Sequence, residues 1–360
     1  MSIDNGGNMY PKIEINIKGI KENINIISNE CNKHNIFISV VTKVLANNKE
    51  IVTKICNGVK SIADSRVDNL KNYQNINAEK WLIRLPMECE IEDVIKYCDV
   101  SLNSEIYTIK LLNEEAKKQN KKHKIILMYE IGDLREGLYF DKLKETVLEC
   151  KKLSNIIIYG IGCNLGCYGG VVPSEDNMND LVNAVERIEK ECDIKLEVIS
   201  GGNSTSYKML KEGKLPQKVN NLRIGESIYL GTLPTYDEII DELNHDNFIM
   251  SAQIVEVQVK DSLPKGEMMK NSFGETVHFE DKGKMKRALI NIGKQDTGLD
   301  LKPLDKNIDI LGGSSDYILL DVTNCEKDYK VGDVVSFIPD YASLLKMMTS
   351  EYVRKEIKDE

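Results

Sequence analysis

The chain of 360 residues carries 57 acidic against 48 basic side chains, a formal charge of −9, with 41% hydrophobic and 29% charged residues. A single hydrophobic core stops growing near roughly 250–300 residues, so one large and one smaller domain are expected. The acidic balance, with no basic run interleaved with aromatics, excludes nucleic acid and anionic membrane as partners. No apolar run approaches the roughly 18 residues of a membrane span.

The opening "MSIDNGGNMYPK" places an acid before any base and has no apolar centre, so it does not read as a secretory signal. Nine cysteines, an odd count without a CxxC pair, suit a reducing compartment, and the expected location is the cytoplasm. Cys163 and Cys167 lie close together but have no histidine at ligand spacing, so they read as packed thiols and no metal is expected. His34, His123, His245 and His278 sit in polar surroundings, none placed to orient a nucleophile.

A first short strand is expected at 12–17. From residue 36 onward, apolar runs alternate with amphipathic stretches of helical length, the pattern of repeated βα units. The predicted strands are 37–43, 61–65, 81–86, 100–104, 125–132, 156–164, 196–202 and 221–230. Between them lie stretches such as 105–120, where Ile106, Ile109, Leu111 and Leu112 mark one helical face. Eight such strands point to a closed (β/α)8 barrel rather than an open doubly wound sheet. After about residue 245, strand-like runs separated by Gly, Asp and Asn turns predict a smaller, mainly β domain, closed by a helical stretch at 341–357.

In such a barrel, functional groups collect at the C-terminal ends of the strands. The first strand delivers Lys43 at the end of "FISVVTK". A lysine there is either snorkelling or working in a site. Later strands deliver Arg135, Asn164, Asn203 with Ser204 in "SGGNSTS", and Arg223 with Gly225 in "LRIGES". This cationic mouth on an acidic protein suits a small phosphorylated ligand. Gly201-Gly202-Asn203-Ser204 reads equally as a phosphate-binding helix start or an ordinary capping turn. A desolvated lysine beside arginines gains neutral, nucleophilic character. Together with a phosphate site, that chemistry fits pyridoxal phosphate or a sugar-phosphate aldolase.

The blocks "YPKIEIN", "VTKV", "IADSR", "IRLPM", "SLNSE", "GDLREG", "CYGG", "SGGNS", "LRIGE", "IGKQD", "LGGSSD" and "MTSEYV", in that order along nearly the whole chain, carry a family likeness. The sequence resembles the fold-type III pyridoxal-phosphate racemases of the alanine racemase superfamily, and among them it is most similar to those acting on ornithine. The resemblance implies a first segment, 1–17, joining the C-terminal domain, a cofactor barrel over 18–244 and a mainly β domain over 245–360.

The resemblance also implies roles for residues. Lys43 matches the lysine that holds the cofactor and acts as acid/base on one substrate face, and Arg223 the arginine facing the pyridine nitrogen. Ser204, Ile224, Gly225 and Tyr341 match phosphate contacts. Arg135 resembles the arginine near the phenolic oxygen, and Asn164 falls where a histidine commonly meets the ring. A guanidinium does not take up a proton near neutral pH, so Arg223 keeps the pyridine nitrogen unprotonated. That favours removal and return of the α-proton over transamination, and the absence of a carboxylate at this position disfavours decarboxylation.

Racemisation needs a second acid/base on the opposite face. Alanine racemases supply a tyrosine from the partner subunit, whereas "IGKQDTG" places Lys294 there, with Tyr168 as a lower-ranked substitute. Asp296 and Asp316 are expected to bind a terminal ammonium. The implied assembly is a head-to-tail homodimer with shared sites. Alternatives are a racemase for alanine, lysine or another amino acid, and a non-catalytic pyridoxal-phosphate-binding protein, against which the C-terminal segment weighs.

Overall fold

The structure is a computed structural model and describes residues 9–359. "SIDNGGN", with the rest of the first eight residues of the expected segment 1–17, lies outside the described residues. The chain forms two compact units. One is Ile17–His245, and the other joins strand β1 (Lys12–Asn16) to the chain from Asp246 onward.

In the larger unit, helix α1 (Ile17–Lys33) leads in, burying Ile17, Ile20, Ile24, Ile27 and Cys31 along one stripe. The barrel strands are β2 (Phe37–Val41), β3 (Ser61–Asp64), β4 (Glu79–Leu82) and β5 (Val100–Asn103). They continue as β6 (His123–Met128), β7 (Ile156–Gly162), β8 (Val198–Ser200) and β9 (Asn221–Ile224). All run parallel, and β9 pairs back onto β2 from Phe37 with Asn221 to Val40 with Ile224, which closes the (β/α)8 barrel. The connecting helices are α2 (Lys49–Ile55), α3 (Val67–Asn72), α4 (Ile91–Tyr97), α5 (Ile106–Lys118), α6 (Phe140–Cys150), α7 (Glu175–Cys192) and α8 (Tyr207–Lys211). Helix α7 begins on a capping box in which the Ser174 hydroxyl accepts from the Asn177 amide and the Asn177 side chain accepts from the Ser174 amide.

Strands covered on both faces read as continuous apolar runs, which is why these segments were legible as strands. The barrel interior is filled by Val41, Ala63, Trp81, Leu102, Ile126, Met128 and Tyr159, among others. Trp81 meets Phe37 and Tyr159 edge-on at centroid distances of 6.1 and 6.2 Å.

Two expected segments change form. The run 221–230 is not one strand: β9 ends at Ile224 and helix α9 (Glu226–Leu230) follows, closed by Gly231 at φ 67°. A left-handed glycine of this kind ends a helix without a Cβ penalty, a signal that the apolar "SIYL" masks. A short hairpin, β10 (Thr232–Leu233) with β11 (Glu238–Ile239), completes this unit.

The smaller unit is built on β12 (Phe248–Asp261), which pairs with β1, β13 (Lys284–Ile290) and β17 (Val334–Pro339). Strands β14 (Leu301–Pro303), β15 (Asp309–Gly313) and β16 (Ile318–Asp321) extend an antiparallel sheet in the order β14-β17-β12-β13-β16-β15. The closing stretch is not all helix: α10 (Tyr341–Thr349) stops, and β18 (Arg354–Lys358) pairs in parallel with β1. The free edge of β1 overrides helical propensity here, and Lys12 joins Glu356 across the pair at 2.7 Å. No helix among the described residues is long and apolar enough to cross a membrane.

Candidate active site

Lys43 stands just past the strand. β2 ends at Val41, Thr42 turns the chain, and Lys43 opens a single 3-10 turn ended by Ala46 in the left-handed region. Beneath it, the Thr42 hydroxyl donates to Asp64 at 2.8 Å. The Asp64 carboxylate also accepts from the Arg66 amide and the Asn69 side chain, both at 3.0 Å. Burial pushes the Asp64 carboxyl up against these hydrogen bonds. Lys43 is held below the ordinary ammonium range, first by burial and then by Arg135, while Cys167, Asp64 and Glu226 pull the other way. An amine so placed releases its proton more readily than a solvated lysine.

β9 lies next to β2 and carries Arg223, which is 4% exposed. Its guanidinium donates to the Ser200 hydroxyl at 2.5 Å and to the Cys163 carbonyl at 2.7 Å. Ser200 in turn donates to Asn221 at 2.5 Å, and Asn221 donates to Ser39 at 3.0 Å. The arginine is therefore fixed by a polar chain through the barrel interior rather than by a carboxylate. Burial lowers its pKa.

After Ile224 the backbone turns at Gly225, where an added Cβ would lie 3.1 Å from the Cβ of Val41. The amides of Gly225 and Ser227 both donate to the Ser204 hydroxyl at 3.3 Å. Tyr229, one turn on, donates to the Val41 carbonyl at 2.9 Å and ties this turn to the approach to Lys43. Ser204 is set by Asn203, whose side chain accepts from the Thr205 amide at 2.9 Å and donates to the Leu165 carbonyl at 2.8 Å. The preceding Gly202 has φ +105°, a conformation that disfavours other residues. Asn164 accepts from Asn203 at 3.3 Å, while its own amide nitrogen is shielded from water with no partner among the described residues. Buried donors are normally satisfied, so this one is available to a ligand.

Arg135 lies on the loop after β6, ion-paired with Glu136, and donates to the Cys167 sulfur at 2.9 Å. Although burial opposes it, Glu136 and Cys167 hold the guanidinium above its ordinary range. The two loops are joined by buried Asp133, which accepts from the Cys167 amide at 3.3 Å and the Tyr168 amide at 3.0 Å. Tyr168 itself points to solvent, 78% exposed.

Lys43, Arg135, Asn164, Tyr168, Asn203, Ser204, Arg223, Ile224 and Gly225 thus all lie at or beyond the C-terminal ends of barrel strands. The others belong to the smaller unit. Tyr341 opens α10, capped by Asp340. Asp296 accepts from Ser350 at 2.7 Å, and exposed Asp316 accepts from Ser315 at 2.6 Å. Lys294 is pinned through its amide to the Ser314 carbonyl at 2.8 Å, and its ammonium meets Glu275 at 2.6 Å. Sequence reasoning passed over Asp64, Glu136, Ser227 and Glu275. Asp64 and Glu136 stood inside "IADSR" and "GDLREG", where a carboxylate flanking a basic residue was the available signal. Glu275 had none.

The description "Alanine racemase, N-terminal domain" matches residues 15–233. The chain is 45% identical to the ornithine racemase of Acetoanaerobium sticklandii, over 97% of this chain and 100% of that one. It is 37% identical to the lysine racemase of Thermotoga maritima, over 96% of this chain and 98% of the other. Among solved structures, the Bartonella henselae alanine racemase, described with covalently bound pyridoxal phosphate, matches with a TM-score of 0.74 at 17% identity. That match spans 98% of this chain and 100% of the other, and it speaks for the fold. With the barrel, the half-buried amine and the serine-capped turn in place, the chain belongs to the alanine racemase family.

Proposed function

We propose that the chain is a pyridoxal-phosphate-dependent racemase that interconverts L- and D-ornithine, working in the cytoplasm as a homodimer with shared active sites. The observation that carries this reading is the 45% identity across 97% of the chain to an ornithine racemase, well above the 37% to a lysine racemase. The site residues fit the cofactor on two counts. The Asn164 amide nitrogen is a shielded donor without a partner among the described residues. The Gly225 and Ser227 amides converge on Ser204, as an anion-binding turn requires.

Lys43 would hold the cofactor's aldehyde carbon. Ser204 and the Ile224-Gly225 backbone, with Tyr341, would grip the phosphate. Arg223 would face the pyridine nitrogen, and Arg135 the phenolic oxygen. When bound, pyridoxal phosphate supplies the electron-withdrawing system that acidifies the substrate's α-proton. The chain's own residues do the rest. Lys43, with its proton affinity lowered by burial, takes the α-proton on one face. Lys294, entering from the partner subunit, serves the opposite face. The charge of Arg223 would keep a proton off a pyridine nitrogen held beside it. Asp296 and Asp316 offer carboxylates to a substrate's distal ammonium.

In deuterated water, L-ornithine incubated with the cofactor-loaded protein is expected to gain α-deuterium and lose optical rotation together. Release of carbon dioxide, or no exchange with ornithine, lysine and alanine, would refute the proposal. A fully active monomer in sedimentation would refute the shared-site dimer.

A further inference from the structure

β12 and β13 run side by side to the pair Asp261 with Lys284, where a two-residue turn would close the hairpin. Instead the chain from Ser262 to Gly283 intervenes without regular secondary structure. Unstructured connections of more than about 12–15 residues are uncommon in compact domains, and many that occur are functional. Its base is fastened by the Ser262 amide to the Gly283 carbonyl and by the Lys282 amide to the Ser262 hydroxyl, both at 2.8 Å.

At its tip the segment makes a tight turn around Asn271. That side chain accepts from the Phe273 amide at 2.9 Å and the Glu275 amide at 3.0 Å, and donates to the Glu275 carboxylate at 2.8 Å. The turn delivers two groups to Lys294. Glu275 Oε2 lies 2.6 Å from its Nζ, and the Phe273 ring centroid lies 4.6 Å from the same nitrogen. The lysine's backbone has no slack, because a Cβ on Gly293 would fall 2.3 Å from the Ser315 carbonyl oxygen. Other charged groups nearby in this unit are Lys346, whose ammonium reaches the Lys294 carbonyl at 3.5 Å, Asp296 two residues on, and Asp316 on the turn that hydrogen-bonds this segment. Glu275 is the carboxylate in direct contact.

We infer that Glu275 is a positioning residue for the second acid/base: it aims Lys294 and, with it, forms a proton-carrying pair that is net neutral when loaded. Lys294 as ammonium beside Glu275 as carboxylate sums to zero. After the proton passes to the substrate's α-carbon, the pair is singly negative. These are the charge states of a phenol and its phenolate, so the pair moves a proton without adding a free cation to the site. In the reverse direction the neutral Lys294 amine takes the α-proton, and the pair returns to zero. This inference rests on the reading of Lys294 as the second base.

The test compares Glu275→Gln and Glu275→Asp with wild type in cofactor-loaded protein, following kcat/KM from both ornithine enantiomers. The cofactor's visible absorbance is expected to be unchanged. Racemisation by Glu275→Gln is expected to fall roughly tenfold or more, within the range that acid/base groups contribute. Glu275→Asp, which keeps the carboxylate, is expected to recover most of the lost rate in both directions. Equal losses in Glu275→Gln and Glu275→Asp would show that the charge of this side chain is not what matters, which would overturn the inference. Racemisation by Glu275→Gln within twofold of wild type would also overturn it while leaving the proposed function standing. Wild-type protein without α-proton exchange would bring down both.

Discussion

The polar chain that fixes Arg223 can be cut at one atom. Ser200→Ala removes the hydroxyl that accepts from Arg223 at 2.5 Å and donates to Asn221 at 2.5 Å. The first bond involves a charged group and is worth about 1.5–3 kcal/mol, the second about 0.5–1.5 kcal/mol, so a net loss of roughly 2–4 kcal/mol is expected. The guanidinium keeps its bond to the Cys163 carbonyl, which sets the upper bound. Trp81 is the single tryptophan of the chain and lies fully buried in the barrel, so its fluorescence reports this unit's unfolding. With a urea dependence of about 3 kcal/mol/M, the midpoint should fall by about 1 M at unchanged slope. A double-mutant cycle with Arg223→Met should return a coupling of about 1.5–3 kcal/mol. A midpoint shift under about 0.2 M, or no coupling, would show that the arginine does not depend on this chain.

Ser204→Ala leaves the Gly225 and Ser227 amides without their acceptor. Titration of the cofactor-free protein should show binding of pyridoxal phosphate weakened by about tenfold, the equivalent of about 1.4 kcal/mol. Gly202→Ala, at φ +105° with its new Cβ 2.7 Å from Ser206 Oγ, should destabilise by about 1–3 kcal/mol in the same urea assay. Gly213→Ala, at φ +68° in open space, should cost less. His123 is buried against Ser101 at 2.8 Å, and burial lowers its pKa to about 4. The native state therefore binds fewer protons than the unfolded chain between that value and the ordinary pKa of about 6.5. Its share of stability is intact above the upper limit, declines as pH falls through this window and is lost below it, a difference of about 3 kcal/mol in all. His123→Gln should flatten the pH dependence of the urea midpoint across the window.

The barrel was legible because its strands are buried on both faces and read as unbroken apolar runs between helical stripes. The two misread segments failed for different reasons. "NLRIGESIYL" is apolar enough for a strand, but the turn at Gly225 depends on Ser204, which is distant in sequence. "SEYVRKEI" has helical composition, yet it finds the open edge of β1 from the far end of the chain. Within the candidate site, Lys43, Arg223 and Ser204 stood out because each lies at or just past the C-terminal end of an apolar strand. The supports beneath them did not stand out: Asp64 under Thr42, Ser200 under Arg223 and Glu275 on Lys294 are contacts between segments, and no local pattern announces them.

All of the proposed chemistry turns on the lysine just past the first barrel strand being the covalent attachment point. Reduction of the pyridoxal-phosphate-loaded protein with borohydride, digestion and mass spectrometry should find the phosphopyridoxyl mass on the peptide containing Lys43, and no such mass after Lys43→Ala. The same mass on a peptide lacking Lys43, or undiminished labelling in that variant, would contradict the account.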